Sequence, residues 1–205
     1  MSRVDRHIYL ASRSPRRREL LKQIGIGFEL LLFREDSKRG VDLDERPLEH
    51  ESAGEYVIRV ARAKADMAWQ RVADRRLFRR PVLAADTTVA LGNDIFGKPA
   101  DRDEAAEMLN RLAGRTHQVL TAVAVCREDI LHTALSVSEV EFKPLSEQEI
   151  RHYVASGEPL DKAGAYAVQG RAAAFIQRLA GSYSGVMGLP LYETAELLHK
   201  FGIEP

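Results

Sequence analysis

Residues 81–99 read Pro81-Val-Leu-Ala-Ala-Asp-Thr-Thr-Val-Ala-Leu-Gly-Asn-Asp-Ile-Phe-Gly-Lys-Pro99. An apolar run leads into Asp86, resumes after two threonines and ends in Gly-Asn, which is typical of a buried strand that turns into a hairpin. A carboxylate in a buried strand must be paired, metal-bound or chemically active, because burying an uncompensated charge is costly. Lys98 lies a hairpin's length away, so a structural ion pair between Asp86 and Lys98 is one interpretation.

The overall composition is typical of a soluble globular protein. The chain has 205 residues, of which 45% are hydrophobic and 29% charged, enough for a single domain or two lobes that share one sheet. Its formal net charge is zero, which argues against nucleic acid or an anionic membrane as a partner. Cys126 is the single cysteine, so an internal disulfide is excluded. The apolar runs are too short for a membrane span, and we expect a cytoplasmic protein.

The order of the elements predicts an α/β fold with a mixed, twisted sheet and flanking helices. Strands alternate with helices, but hairpins occur among them, which argues against a purely parallel sheet. Helices are predicted to begin after capping residues Ser14, Ser52, Asp101 and Ser146, and a last helix covers 191–201. The other strands are predicted over 7–11, 28–33, 116–126, 130–142 and 174–179. The apolar phase slips between Val137 and Val140, which predicts a bulge or an edge there.

Arginines crowd the start of the first predicted helix. The segment Ser12-Arg-Ser-Pro-Arg-Arg-Arg18 places cations where the helix dipole is already positive, at a cost in local stability. Hydroxyls, free backbone N–H groups and arginines at a helix start form a phosphate site, so we predict one here. A solvated basic turn is the alternative.

Three further features are candidates for function. Lys64 falls in the apolar stripe of the helix after Ser52, where it either extends to solvent or serves the site. Residues 34–50, which include Glu45, form a long predicted loop, and long loops are often functional. Residues 158–170 are also loop-like.

Several common sites are absent from the sequence. No phosphate-binding P-loop, dinucleotide-binding glycine motif, G-x-S-x-G motif or paired histidine metal spacing occurs. What remains is a set of arginines and lysines that can bind anions, beside isolated carboxylates. This combination suits Mg²⁺-assisted chemistry on a phosphate chain. The residues by themselves indicate a phosphate-ester or nucleotide enzyme.

Three motifs, in this order along the chain, resemble the Maf family of nucleoside triphosphate pyrophosphatases. They are Leu10-Ala-Ser-Arg-Ser-Pro-Arg-Arg17, then Ala85-Asp-Thr-Thr-Val89 with Gly97-Lys-Pro99, then Asp161-Lys-Ala-Gly-Ala-Tyr-Ala-Val-Gln-Gly170 with Gly188-Leu-Pro190. The resemblance implies two lobes around a central cleft, as in inosine-triphosphate pyrophosphatases. It also implies hydrolysis of a nucleoside triphosphate to the monophosphate and pyrophosphate with a divalent cation, Mg²⁺ or Mn²⁺, and a homodimer.

The resemblance also implies roles for individual residues. Asp86 matches the catalytic aspartate and would bind the metal with Glu45, while Lys64 and Lys98 would line the phosphate and metal side. The implied substrate-binding positions are Ser12, Arg16, Arg17, Thr87, Asp161, Lys162 and Gln169, with Arg16, Thr87 and Gln169 choosing the base. A glutamine suits a pyrimidine edge, because its amide both donates and accepts.

The third motif resembles the branch of the family that acts on dTTP and UTP, with CTP and modified pyrimidine nucleotides as further candidates. This branch implies cleansing of the nucleotide pool, with a link to cell-division arrest. The alternatives are a 7-methyl-GTP pyrophosphatase of the same family, an enzyme of the inosine-triphosphate type, and a non-catalytic nucleotide-binding regulator of septum formation. The chain departs from the family in a longer loop at 34–41 and in Arg171-Ala172, where small residues are usual.

Overall fold

The computed structural model describes residues 7–32 and 45–205. Within these ranges the strands are β1 His7–Leu10, β2 Gly27–Leu30, β3 Val82–Leu91, β4 Asp94–Phe96, β5 Thr116–Arg127, β6 Ile130–Phe142 and β7 Ile176–Ala180. The helices are α1 Pro15–Gln23, α2 Ala53–Asp74, α3 Arg102–Leu112, α4 Glu147–Ala155, α5 Tyr183–Val186 and α6 Leu191–His199. None of the helices in this part of the chain is both long and apolar enough to cross a membrane.

The strands form one mixed sheet in the order β2-β1-β3-β5-β6-β7, with β4 hydrogen-bonded to β3. β1 runs parallel to β2 and β3, whereas every other pairing is antiparallel. The predicted fold class, a mixed α/β sheet with flanking helices, is therefore confirmed. The hairpin predicted at Gly92-Asn93 is also present, because β3 pairs with β4 on either side of it.

The predicted helix starts are confirmed at the level of individual hydrogen bonds. The side chains of Ser14, Ser52, Asp101 and Ser146 each accept from the backbone N–H three residues further on. At Ser52 and Ser146 a glutamate returns the bond to the cap backbone and completes a capping box. These bonds satisfy N–H groups that have no partner inside the helix.

The core consists of three apolar clusters arranged along the sheet. One lies between α2 and the faces of β3 and β5 and includes Val57, Ala61 and Ala122. A second lies beneath α1 and α6 and includes Leu10, Leu21 and Leu198. The third joins the far end of β3 and β4 to α3 and α4 and includes Val89, Leu109 and Ile150.

One edge of β3 changes partner along its length. β1 pairs with β3 at Val82 and Leu83, and β4 pairs with it from Val89 to Leu91. Between these two pairings neither strand covers that edge, although β5 pairs along the whole opposite edge. This interruption leaves the edge of β3 at Asp86 and Thr87 without a strand partner.

Of the two alternatives predicted between Val137 and Val140, the bulge is wrong, because β6 keeps its register with β5 throughout. The edge is present, because β7 pairs with β6 only from Glu139 to Phe142. The irregularity lies instead between Glu141 and Phe142, in the pairing with β7. The apolar phase slips because serines occupy the inward positions: Ser138 is 2% exposed, and its hydroxyl accepts from the backbone N–H of Ser182 at 2.9 Å. The buried serine thus has a hydrogen-bond partner inside the protein, although the apolar pattern predicted that its side chain faces solvent.

Two predictions fall partly outside the described residues. The strand predicted at 28–33 is present as β2 but ends at Leu30, and Phe33 is not among the residues described. The longer loop at 34–41 lies outside them altogether.

Candidate functional site

The pleat of β3 directs Asp86 and Thr87 to opposite faces of the sheet, because successive side chains of a strand alternate. Asp86 faces α2, and Thr87 faces the start of α1. The uncovered edge of β3 lies between these two faces. One strand therefore supplies polar groups to both faces of the sheet.

On the α2 face, a lysine joins two carboxylates. The Lys64 ammonium donates to Asp86 Oδ1 at 2.7 Å and lies 3.1 Å from Glu45 Oε1. The side chains of Lys64 and Asp86 are only 16% and 11% exposed, whereas that of Glu45 is 51% exposed. The lysine in the apolar stripe of α2 thus supplies the counter-charge for a buried aspartate rather than extending to solvent. The alternative ion pair of Asp86 with Lys98 is not the one that the structure contains.

Tyr56, one turn from the start of α2, borders this acidic group, and sequence reasoning missed it. Burial, and then the charges of Asp86 and Glu45, raise the pKa of Tyr56 to about 12. The phenol therefore stays protonated at neutral pH and adds no negative charge beside the carboxylates. No sequence signal distinguishes it from the apolar residues of the same stripe.

On the α1 face, Arg17 ties three segments of chain together. Its Nε donates to the Gly188 carbonyl at 2.7 Å, and one terminal nitrogen donates to the Ala85 carbonyl at 2.7 Å. Two residues earlier on this edge, the Leu83 carbonyl accepts from the backbone N–H of Ala11, the residue after β1, and β1 does not extend as far as the Ala85 carbonyl. Arg17 therefore satisfies a backbone acceptor that the interrupted ladder leaves without a strand partner.

Two hydroxyls complete the environment of Arg17. Its terminal nitrogens donate to Ser12 Oγ at 3.3 Å and to Thr87 Oγ1 at 3.2 Å. Burial lowers the pKa of Arg17 and the charge of Asp86 opposes that effect, but an arginine stays ionised at neutral pH all the same. All three guanidinium nitrogens of Arg17 donate hydrogen bonds within the protein. The alternative of a solvated basic turn therefore does not apply to this arginine.

The Thr87 hydroxyl can accept a hydrogen bond from a ligand but cannot donate one. Thr121 Oγ1 donates to the Gly185 carbonyl at 2.8 Å, which uses its single hydrogen. Thr87 Oγ1, 2.9 Å from Thr121 Oγ1, must therefore donate to it, and it accepts from Arg17. A phosphate oxygen, which has no hydrogen to donate, does not suit this position. Sequence reasoning missed Thr121, whose role depends on its cross-strand neighbour Thr87 and on the Gly185 carbonyl 64 residues away.

The loop at 158–170 is anchored beside the β3–β4 hairpin. The backbone N–H of Gly164 donates to the Gly97 carbonyl at 3.0 Å. Gly164 has φ +66°, and a Cβ there would lie 2.7 Å from a methyl carbon of Val89, so both conformation and space require glycine. This contact brings the third sequence motif to the second.

Asp161 and Lys162 neutralise one another within this loop, because the Lys162 ammonium donates to the Asp161 carboxylate. Burial acts to raise the pKa of Asp161, but the hydrogen bond from Lys162 and the charges of Lys162 and Arg16 hold it below its usual range. A charge at the start of α1 thus acts on this loop.

Three predicted site residues have side chains without a polar partner in the described part of the chain. The side chains of Arg16, Lys98 and Gln169 make no hydrogen bond or ion pair there. Lys98 and Gln169 are exposed, and Arg16 is half-buried. Their polar groups are therefore available to a ligand.

The two carboxylates on Lys64 also bear on metal binding. The described residues include no group of three or more histidine, cysteine, aspartate or glutamate side chains placed to bind a metal. Asp86 and Glu45 nevertheless converge on one cationic position, and carboxylate oxygens are the ligands that Mg²⁺ and Mn²⁺ prefer. Two protein carboxylates with substrate phosphates are typical of magnesium sites, so these residues fit such an ion.

Known proteins match this chain over most of its length. A sequence-family profile described as Maf-like protein matches residues 7–201. A protein of Aromatoleum aromaticum named dTTP/UTP pyrophosphatase is 54% identical over 203 residues, covering 98% of each chain. One of the same name from Nitrosomonas europaea is 55% identical over 196 residues, covering 96% of this chain and 95% of its own. A solved structure, the HAM1 protein from Coxiella burnetii, is 17% identical with a TM-score of 0.48, covering 95% of this chain and 98% of that one.

Proposed function

The chain belongs to the Maf family, and from that premise we propose that it hydrolyses dTTP and UTP to the nucleoside monophosphate and pyrophosphate. The names of relatives more than 50% identical over nearly the whole chain support this substrate class. The observation that carries the proposal is the buried Asp86, held by Lys64 at the interruption of the β3 ladder. CTP and modified pyrimidine nucleotides are further candidate substrates.

Asp86 and Glu45 would hold a divalent cation, Mg²⁺ or Mn²⁺, together with oxygens of the triphosphate. Bound there, such an ion would neutralise negative charge on the phosphate chain. The two carboxylates differ in exposure, at 11% for Asp86 and 51% for Glu45. Asp86 is therefore the preorganised ligand, and Glu45 approaches from the solvent side.

Asp86 would also act as the general base. Its Oδ1 accepts from Lys64, while its Oδ2 has no hydrogen-bond donor among the residues described. The free oxygen would take the proton of a water that attacks the α-phosphorus, as the bond to the leaving pyrophosphate breaks. Lys98 and Arg16, which make no ion pairs in the described part of the chain, would stabilise the charge on the pyrophosphate.

The nucleoside would lie towards Thr87 and Gln169. The Thr87 hydroxyl accepts but cannot donate, which suits an N–H or O–H of the nucleoside and not a phosphate. The Gln169 amide, exposed and without a protein partner among the described residues, can both donate and accept. Asp161 and Lys162 would border this end of the substrate.

A cytoplasmic homodimer that removes nucleotides from the cellular pool completes the proposal. The single, buried cysteine is compatible with a reducing compartment. The homodimer and the link to cell-division arrest derive from the family resemblance.

The test is pyrophosphate release from dTTP, UTP, CTP, 7-methyl-GTP and ITP with Mg²⁺ or Mn²⁺. Wild type should release pyrophosphate from dTTP and UTP, and Asp86→Asn should lose at least about 10²-fold in kcat, because it removes a general base. Asp66→Asn, an exposed aspartate on α2, is the matched control and should retain activity. Binding without release from any nucleotide in wild type would refute the proposal and favour a non-catalytic regulator.

A further inference from the structure

Glu158 closes the loop that carries the third motif. One of its carboxylate oxygens accepts from the Tyr153 hydroxyl at 2.9 Å, and the two oxygens lie 3.1 and 3.2 Å from the backbone nitrogen of Arg171, which donates to them. Glu158 stands at the start of the loop and Arg171 directly after its end. A single carboxylate thus fastens both ends of the segment that holds Asp161, Lys162 and Gln169.

Gly170 fits closely against this carboxylate. A Cβ at position 170 would lie 2.0 Å from Glu158 Oε1 and 2.5 Å from its Cδ. The carboxylate is the flexible end of a side chain, so an alanine at 170 would push it away from Tyr153 and Arg171. The glycine beside Gln169 is required by this contact and not by its backbone conformation, since its φ is −101°.

The anchor for the carboxylate is rigid. Tyr153 is 3% exposed and packs edge-to-face against Phe175 with ring centroids 5.2 Å apart. Burial, and then the hydrogen bond to Glu158, raise the pKa of Tyr153, so its hydroxyl remains a donor at neutral pH. α4 thus supplies a neutral donor to this carboxylate at neutral pH.

We propose that Glu158 is a positioning residue for nucleoside recognition: with Tyr153 and Gly170 it holds the loop so that Gln169 meets the base. This inference rests on the proposed function. Among the described residues, the Glu158 carboxylate accepts from Tyr153 and Arg171 and makes no hydrogen bond to the predicted substrate-binding side chains. Loss of the Glu158 carboxylate should therefore weaken nucleoside binding and reduce the preference among bases, while hydrolysis at Asp86 continues.

The variants are Glu158→Gln and Gly170→Ala, with Glu147→Gln, an exposed glutamate on α4, as the matched control. In Glu158→Gln the Arg171 N–H faces either an amide NH₂, which cannot accept, or a neutral amide oxygen, which accepts more weakly than a carboxylate. Loss of a hydrogen bond to a charged group should raise KM for dTTP about tenfold. We expect kcat to change by less than about threefold and the preference for dTTP over ITP to fall. Hydrogen exchange of the Arg171 amide should accelerate in both variants and not in Glu147→Gln.

A double-mutant cycle separates this role from general destabilisation. Gly170→Ala should be harmful beside Glu158 but nearly silent in a Glu158→Ala background, because the group it displaces is then missing. Effects that simply add, or an equal loss of kcat/KM for every nucleotide in step with a lower melting temperature, would overturn the inference. If wild type hydrolyses no nucleotide, the proposed function itself fails. If wild type is active and both variants keep its KM and base preference, the positioning role alone fails.

Discussion

Arg16 and Arg17 are neighbours on α1, and the structure divides stability and ligand binding between them. Arg17 donates to two carbonyls and two hydroxyls, whereas Arg16 has no hydrogen bond or ion pair among the described residues. Replacing each with lysine keeps the charge and removes the guanidinium geometry. We expect Arg17→Lys to lose stability and Arg16→Lys to lose affinity for the triphosphate.

The size of the effect follows from the bonds that a lysine cannot make. One ammonium nitrogen cannot replace three guanidinium nitrogens directed at separate segments, so the Gly188 or the Ala85 carbonyl loses its donor. A hydrogen bond to a charged group contributes about 1.5–3 kcal/mol, and loss of one to two of them should lower the free energy of unfolding by about 3 kcal/mol. For a chain of this length the melting temperature should fall by roughly 6–12 °C.

The assay is urea and thermal unfolding followed by the fluorescence of Trp69, the single tryptophan, which packs against the cluster beneath α2. Arg16→Lys is the matched control, and its melting temperature should stay within about 2 °C of wild type. Its KM for dTTP should rise, because arginine binds phosphate through two nitrogens and lysine through one.

The opposite pattern would refute the reasoning. If Arg17→Lys melts like wild type but loses activity, Arg17 acts on the substrate and its four hydrogen bonds contribute little to folding. If Arg16→Lys is the less stable variant, the division between the two residues is wrong.

Two buried groups give further predictions. Burial lowers the pKa of His117 to about 4, below its value of about 6.5 in the unfolded chain. The unfolded chain therefore takes up a proton first as the pH falls, and the free energy of unfolding should decrease by about 3 kcal/mol between about pH 6.5 and 4. Urea titrations should show this slope in wild type, and a slope of equal size in His117→Gln would contradict the assignment. Burial raises the pKa of Cys126 to about 12, and its Sγ donates to the Ala65 carbonyl at 3.3 Å, so iodoacetamide at neutral pH should label the thiol only after unfolding. Labelling of the native protein at the rate of a free thiol would show that the site opens.

Much of the candidate site could be found in the sequence because its polar residues stand in places where local rules disfavour them. A carboxylate in an apolar strand and a lysine in an apolar stripe each require a partner. The family resemblance supplied the roles. The residues alone left the partner of Asp86 open, and the structure pairs it with Lys64.

The residues that complete the site were beyond sequence reasoning. Thr121 gains its role only because β5 places it beside Thr87, and Glu158 because the loop returns to it after 13 residues. Ser138 lies inward on β6 because a turn 44 residues away supplies its hydrogen-bond partner. An apolar pattern does not record such partners.

The sequence by itself determined the helix starts, the hairpin after β3 and the mixed order of strands and helices. Those features depend on groups within a few residues of one another, such as a cap that accepts from an N–H three residues on. Only the tertiary structure decided that the edge of β3 has no strand partner at Asp86 and that Arg17 donates to the Ala85 carbonyl there. Its acceptors lie 68 and 171 residues away, and no local preference of the chain brings such distant groups together. Burial does so, because a carbonyl without a strand partner inside the protein must find another donor.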